Sequence, residues 1–216
     1  MNPAFHPALQ ASCERLLSES EMISEERRER LKALSDYIRG KLEDGQPVRL
    51  VVICTHNSRR SQMGQLWLWA AARWFGLERV ESFSGGTEAT AFHPNAVAAL
   101  QRAGFGIEAR GKGTNPTYAV TLGPDLPVLQ CFSKTYDHPA NPRQGFAAIM
   151  VCSEADAGCP FVPGAETRFS LPYEDPKAYD GHPDEQAAYD ERVRQIGREM
   201  LWAVQQAAGR GFSVDR

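Results

Sequence analysis

No stretch of this 216-residue chain is apolar for long enough to span a bilayer. Nor is there an excess of charge of either sign. Lys and Arg number 24 against 27 Asp and Glu, a net of -3, which leaves no electrostatic footprint for nucleic acid or a membrane surface. The start, Met1-Asn2-Pro3-Ala4-Phe5-His6, lacks the basic segment and apolar core of a secretory leader, so the expected location is the cytoplasm. A disulfide scaffold is also excluded, because the cysteines are only 5, an odd number, and lie scattered. In a reducing compartment, suggestively spaced cysteines point to catalysis, redox exchange or metal binding. Of these, zinc is disfavoured, because no Cys/His set with four-ligand spacing is present and no metal ligand is assigned. Internal repeats and low-complexity tracts are absent too. What remains, 42% hydrophobic and 24% charged residues, is the composition of an ordinary globular protein.

The first residues read as helix. Pro7 to Leu17 has helical spacing, and Ser24 caps a second helix with Glu25 and Glu26 in its first turn and Leu31, Leu34, Ile38 and Leu42 on one face. Residues 1–46 are therefore expected to form an N-terminal helical extension that packs on the rest or dimerises. From Val48 onward, strands alternate with helices. Val48 to Ile53 is a buried strand, and the helix from Ser61 to Phe75 turns Met63, Leu66, Trp67, Ala70, Ala71 and Trp74 to one face. Val80 to Phe83, Ala147 to Val151 and Thr167 to Leu171 supply three further strands. His93-Pro94 opens another helix, and Pro183 opens a long last one. This alternation predicts an α/β fold with a parallel sheet covered on both faces. Tyr118 to Leu122 and Val128 to Phe132, around Gly123-Pro124-Asp125-Leu126-Pro127, interrupt the rhythm as a β-hairpin insertion at about 115–146 within a domain of 47–210.

Chemistry concentrates at three places. The first is Cys54-Thr55-His56-Asn57-Ser58-Arg59-Arg60-Ser61, a polar loop between a strand and a helix. Backbone N–H groups of such a loop, together with the helix start, bind an oxyanion and favour thiolate over thiol. Thr55 through Arg60 are the candidate oxyanion ligands. Arg60 offers a planar fork for two oxygens, Ser61 a hydroxyl for the Cys54 sulfur, and Asn57 a brace for the loop. The second place is Cys152-Ser153-Glu154-Ala155-Asp156-Ala157-Gly158-Cys159-Pro160, at the end of the third strand. Strand ends of a parallel sheet share one edge, so Cys152 is expected near Cys54, and a thiol relay with Cys159 is chemically feasible. Two unrelated loop cysteines are the bland alternative. The third place is Glu174-Asp175-Pro176, where the proline keeps Asp175 extended, over the same edge, as a general acid. By itself, an Asp before Pro is more often only a turn former. Cys13 and Cys131 are expected to pack as small apolar groups.

In this order, the pieces resemble the low-molecular-weight tyrosine phosphatase superfamily, and within it the thioredoxin-coupled arsenate reductases. The resemblance covers roughly residues 48–208. It rests on Cys54-x-x-Asn57-x-x-Arg60-Ser61-Gln62-Met63, Ser84-Gly85-Gly86-Thr87-Glu88-Ala89, Pro94-Asn95-Ala96-Val97, Cys152 through Pro160, and Glu174-Asp175-Pro176 before a long helix. It implies a three-layer αβα fold with a four-stranded parallel sheet. It also implies Cys54 as nucleophile, Arg60 as oxyanion ligand, Ser61 as thiolate stabiliser and Asp175 as acid.

In the arsenate-reducing branch, arsenate adds to Cys54, Cys152 attacks the adduct, and Cys159 then attacks Cys152. The resulting Cys152–Cys159 disulfide is left for thioredoxin, with no tightly bound cofactor. In the phosphatase branch, Cys54 forms a phosphocysteine that water hydrolyses, and Tyr179 could line an aromatic slot. A third reading is a non-catalytic module binding an oxyanion or phosphoprotein. Phosphate, sulfate and arsenate are the anions implied for the loop. Three departures from the family pattern bear on the site. His56 stands at a usual glycine and would be strained if that residue has positive φ. Arg59 replaces a cysteine or small residue and would add positive charge at the mouth. Gln65 lies near the acidic residue of potassium-binding members, so no potassium requirement is expected. A homodimer through the N-terminal helices is the further expectation.

Overall fold

In chain order the elements are α1 (Pro7–Ser18), α2 (Glu25–Glu43), β1 (Val48–Cys54), α3 (Arg60–Trp74), β2 (Val80–Gly86), α4 (Pro94–Arg102), β3 (Gly106–Arg110), β4 (Thr117–Thr121), β5 (Leu129–Cys131), β6 (Phe146–Met150), α5 (Ser153–Gly158), β7 (Ala165–Ser170) and α6 (Glu185–Ala208). Short 3-10 turns lie at Ser20–Met22 and Pro176–Tyr179. The computed structural model describes residues 4–158 and 161–209.

The parallel sheet has the order β2-β1-β6-β7. Its helices lie on both sides, as the near-complete burial of β1 and β6 requires. β1 is central. The chain leaves it for β2 on one side and returns later to β6 on the other, so the crevice of the sheet opens at the end of β1, where Cys54 stands. α3 follows at once and packs on β1 and β2. It comes close because Gly64 has no side chain: a Cβ there would lie 2.9 Å from Val52 Cγ1. α6 crosses α3 equally tightly, with Gly197 facing Trp67, whose indole also meets Phe105 edge-on at 5.0 Å. These apolar side chains are fully or almost fully buried. Each contributes roughly 1.5–3 kcal/mol by leaving water.

α1 and α2 pack against α6, burying Leu9, Cys13, Leu16, Leu31, Leu34 and Ile38. Ser24 caps α2 by accepting from the Arg27 N–H at 3.3 Å. Arg27 then reaches across the molecule. Its Nε donates to Glu199 Oε2 at 2.8 Å, and its guanidinium lies 4.5 Å from the centre of the Tyr173 ring. The Tyr173 hydroxyl donates to the same Glu199 oxygen at 2.6 Å. The apolar faces of the two N-terminal helices are thus covered within one chain, and an association with a second copy through them would have to use their polar faces.

The insertion is larger than the expected hairpin. β3, β4 and β5 form a three-stranded antiparallel sheet. β3 escapes sequence reading because Ile107 is its one large apolar residue and Glu108 to Arg110 are exposed, so no alternation is visible. α5 likewise carries too short a pattern for sequence reading, being one turn or two of helix. Among the described residues, no helix is long and apolar enough to cross a membrane.

Candidate active site

The loop between β1 and α3 is held from outside by its carbonyls. Thr87 N donates to Cys54 O at 3.2 Å, Glu88 N to Thr55 O at 2.8 Å, and His93 N to Ser58 O at 2.9 Å. His56 O accepts from both Thr90 Oγ1 (3.2 Å) and Ser133 Oγ (2.9 Å). With these carbonyls engaged outward, the N–H groups of residues 56–59 have no acceptor among the described residues. That is the polarity of an anion cradle, placed at the start of a 15-residue helix. Gly86 makes the close approach possible, since a Cβ there would lie 2.6 Å from Thr55 O and 2.7 Å from Asn57 N.

The left-handed residue of the loop is Asn57, with φ 46°, and not His56. The strain anticipated at His56 does not arise, because the turn falls one residue later, on a side chain that tolerates it. Asn57 is fully buried. Its Oδ1 accepts from the Lys134 N–H (2.9 Å) and Gln62 Nε2 (3.2 Å), and its Nδ2 donates to Ser61 Oγ at 2.8 Å. Ser61 Oγ lies 3.0 Å from Cys54 Sγ. Because the serine oxygen already accepts from Asn57, its own proton is free to point at the sulfur. The chain Asn57 to Ser61 to Cys54 therefore aims a hydroxyl donor at the sulfur.

Arg60 is almost fully buried. Its Nη1 donates to Tyr173 O at 2.9 Å and its Nη2 to Asp175 Oδ2 at 2.5 Å, while Glu154 Oε2 stands 4.0 Å away. Its Nε–H is buried with no acceptor among the described residues. The second Asp175 oxygen accepts from the Lys177 N–H at 3.1 Å, capping the 3-10 turn that follows. Cys152, completely buried, lies two residues beyond β6. Its sulfur is 3.5 Å from Thr55 Oγ1 and accepts from the Ala155 N–H at 3.4 Å. Adjacent strands of the sheet thus bring the second cysteine beside the residue that follows the first. Arg168 on β7 binds Asp156 of α5, and Ser170 Oγ donates to the same carboxylate at 2.6 Å, which fixes the segment after Cys152. Cys159 lies outside the described residues.

Arg59 does not extend into the mouth. Its side chain, 10% exposed, donates from Nε to the Tyr189 hydroxyl (2.6 Å) and from Nη2 to Asp180 Oδ2 (2.6 Å). What it can offer an anion in this arrangement is its backbone N–H. His56 is half-exposed and 3.7 Å from Glu88 Oε2. Tyr179 is 44% exposed and has the His182 ring edge-on at 6.0 Å. Gln65 is buried beside β2 and donates to Ser82 O at 3.1 Å. Among the described residues, no group of three or more His, Cys, Asp or Glu is placed to hold a metal ion.

Several partners were not read from the sequence: Ser133 and Lys134 beneath the loop, Tyr173 against Arg60, and Asp180 with Tyr189 against Arg59. Gln62 Nε2 also reaches Phe132 O at 3.1 Å, so the exit of the antiparallel sheet braces the loop. All are distant in sequence and single, with no spacing pattern that could reveal them.

An arsenate reductase of Bacillus licheniformis is 30% identical over 149 residues, which span 68% of this chain and 88% of that protein. An arsenate reductase of Bacillus subtilis is 29% identical over the same shares. Among solved structures, a low-molecular-weight phosphotyrosine phosphatase from Vibrio cholerae shares the fold with a TM-score of 0.50 and 16% identity, covering 76% of this chain and 99% of the other. No family model matches the chain.

Proposed function

The chain belongs to the arsenate reductase family built on the low-molecular-weight tyrosine phosphatase fold, and we propose that it reduces arsenate to arsenite with its own thiols as the electron source. Arsenate is held by the free N–H groups of residues 56–59 and by Arg60, whose unpartnered Nε–H is one donor available to it. The Cys54 thiolate attacks arsenic, and one arsenic–oxygen bond breaks. Asp175 supplies the proton that lets the oxygen leave as water. The Cys152 thiolate then attacks Cys54 Sγ. The sulfur–arsenic bonding pair passes to arsenic, which leaves as arsenite, and a Cys54–Cys152 disulfide remains. Cys159 attacks Cys152, releases Cys54 as thiolate, and leaves a Cys152–Cys159 disulfide for a thioredoxin-type dithiol protein. Such a cycle needs a reducing compartment, in keeping with a cytoplasmic setting.

The observation that carries this reading is the second thiol, with Cys152 Sγ 3.5 Å from Thr55 Oγ1 at the nucleophile's own loop. Hydrolysis of a phosphomonoester has no use for it. The phosphatase reading draws on Cys54, Arg60 and Asp175 alone, with the exposed Tyr179 as a flank for an aromatic leaving group. The test is arsenate turnover with thioredoxin, run beside a phosphomonoester assay and a map of oxidised peptides. Arsenite release with a Cys152–Cys159 disulfide formed only on arsenate turnover is expected. Phosphomonoester hydrolysis untouched by Cys152→Ser and Cys159→Ser, with no arsenate-dependent oxidation, would overturn the reductase assignment.

A further inference from the structure

The segment that carries Asp175 is poorly anchored by apolar contacts. Pro176 is buried, but residues 177–184 are exposed. Such a segment holds a fixed place only through specific tethers. Arg192 of α6 holds Glu174 at 3.3 Å and Glu185 accepts from the Gly181 N–H at 2.7 Å, and two further tethers come from adjacent arginines of the anion loop. Arg60 grips Asp175 at one end of the 3-10 turn Pro176–Tyr179, and Arg59 grips Asp180 at the other.

The second grip is a closed triangle. Arg59 Nε donates to the Tyr189 oxygen, Arg59 Nη2 donates to Asp180 Oδ2, and the Tyr189 hydroxyl donates to Asp180 Oδ1, each at 2.6 Å. Every member is fixed independently. Arg59 is the N-cap residue of α3, with its carbonyl accepting from Met63 N at 3.0 Å. Tyr189 is fully buried on α6. The His93 ring stacks on Tyr189 at 5.8 Å, and its Nε2 stands 3.8 Å from Asp180 Oδ2. Charges are matched to the task. Burial works to raise the Asp180 carboxyl, but the Tyr189 hydrogen bond and the Arg59 guanidinium outweigh it and hold it below its usual range. Burial and the Arg59 charge hold His93 below its ordinary value, so it does not compete as a cation at neutral pH. A lysine at position 59 would lack the fork that serves two acceptors at once.

We propose that Arg59 is a positioning residue for the reaction, tying the Asp175 segment to the anion loop through Asp180 and Tyr189 and so setting where the Asp175 carboxyl meets the departing oxygen. The proposal deepens the reading of Asp175 as the acid and rests on it. The Arg59 side chain is directed to Tyr189 and Asp180, leaving only its backbone N–H, which Ala or Lys also carries, for the anion, so loss of the guanidinium should slow the chemical step and leave anion affinity in place.

The test compares Arg59→Ala, Arg59→Lys, Asp180→Asn, Asp175→Asn and the double variant Arg59→Ala/Asp175→Asn. The readouts are kcat for arsenate, Kd for inorganic phosphate, and thermal unfolding. Arg59→Ala and Asp180→Asn are expected to lower kcat about tenfold or more, a part of the ~10²–10⁴ that a placed acid contributes. Phosphate Kd stays within about threefold of the parent. The double variant should be no slower than Asp175→Asn alone, because the first change acts through the second. A double variant slowed by the full product of the two single effects overturns the proposal. So does a phosphate Kd weakened more than about tenfold, which would make Arg59 an anion ligand. If Asp175→Asn itself leaves kcat unchanged, the acid assignment fails and the proposal falls with it. Should Arg59→Ala not fold, the near-isosteric Asp180→Asn decides on the same two readouts.

Discussion

Cys54 and Cys152 stand at the crevice of the parallel sheet, while Cys13 and Cys131 stand in apolar surroundings elsewhere, and all four are buried free thiols. Burial is therefore common to both pairs and cannot be what separates them. Cys54 has the Ser61 hydroxyl at 3.0 Å, and Cys152 has the Thr55 hydroxyl at 3.5 Å with the Ala155 N–H at 3.4 Å. Cys13, on the face of α1 turned to α6, is pushed up to about 12 by burial and by the Glu14 carboxylate. Burial pushes Cys131 up to about 12 as well, against the pull of Lys134. Removing a thiol from water keeps it neutral; hydrogen-bond donors aimed at the sulfur are what make a buried cysteine reactive.

The comparison breaks if the wrong cysteine matters. Cys54→Ser should reduce arsenite release by about 10⁴-fold or more, the scale of losing a nucleophile. A larger loss from Cys131→Ser would reverse the assignment of the pairs. Next in size, Cys152→Ser should leave below about 1% of multiple-turnover arsenate reduction, because one of the two electron-donating thiols is gone. Phosphate affinity, read by isothermal titration, should stay unchanged in that variant. Ser61→Ala sharpens the contrast by removing a donor and leaving burial alone. A hydrogen bond to a charged sulfur is worth about 1.5–3 kcal/mol, so arsenate turnover should fall about tenfold to a hundredfold.

The smallest effects belong to the apolar pair. With a pKa of about 12, the thiolate fraction of Cys13 or Cys131 at pH 8 is about 10⁻⁴, so mass spectrometry of native protein treated with iodoacetamide should find both unlabelled. The sign follows from linkage. The folded values lie above the ordinary 9.0, so their contribution to stability is complete below pH 9 and is lost as pH rises toward about 12. Alkaline melts should show Cys131→Ala losing less stability than the parent across that window. Rapid labelling of either thiol at pH 8 would show that burial does not protect it.

Much of the candidate site is visible as local sequence. A strand, eight residues from Cys54 to Ser61 and a helix start already specify an inward-facing cradle with a sulfur at its base, because strand ends and helix starts orient their own N–H groups. Cys152 was placed by the same logic, since a parallel neighbour must finish at the same edge. The orientation of Arg59 was not visible. From the loop alone it adds charge at the mouth, but Asp180 and Tyr189, 121 and 130 residues away, turn it the other way. β3 was missed for a related reason, as it pairs through its backbone while exposing most of its side chains.

What the sequence determined by itself was therefore periodic or local: the strands of the parallel sheet and the longer helices in their order, the buried face of α2, the capping of α2 by Ser24, and the Cys54 to Ser61 loop between its strand and helix. Only the tertiary structure decided which side chains close on one another across the chain. Ser133 and Lys134 reach beneath Asn57, Arg27 joins Glu199, and the Arg59 side chain joins the acid's segment instead of the mouth. Hydrogen bonds between single residues far apart in the chain leave no period to read. Their geometry exists only once the sheet and helices have packed and brought the donors and acceptors within about 3 Å.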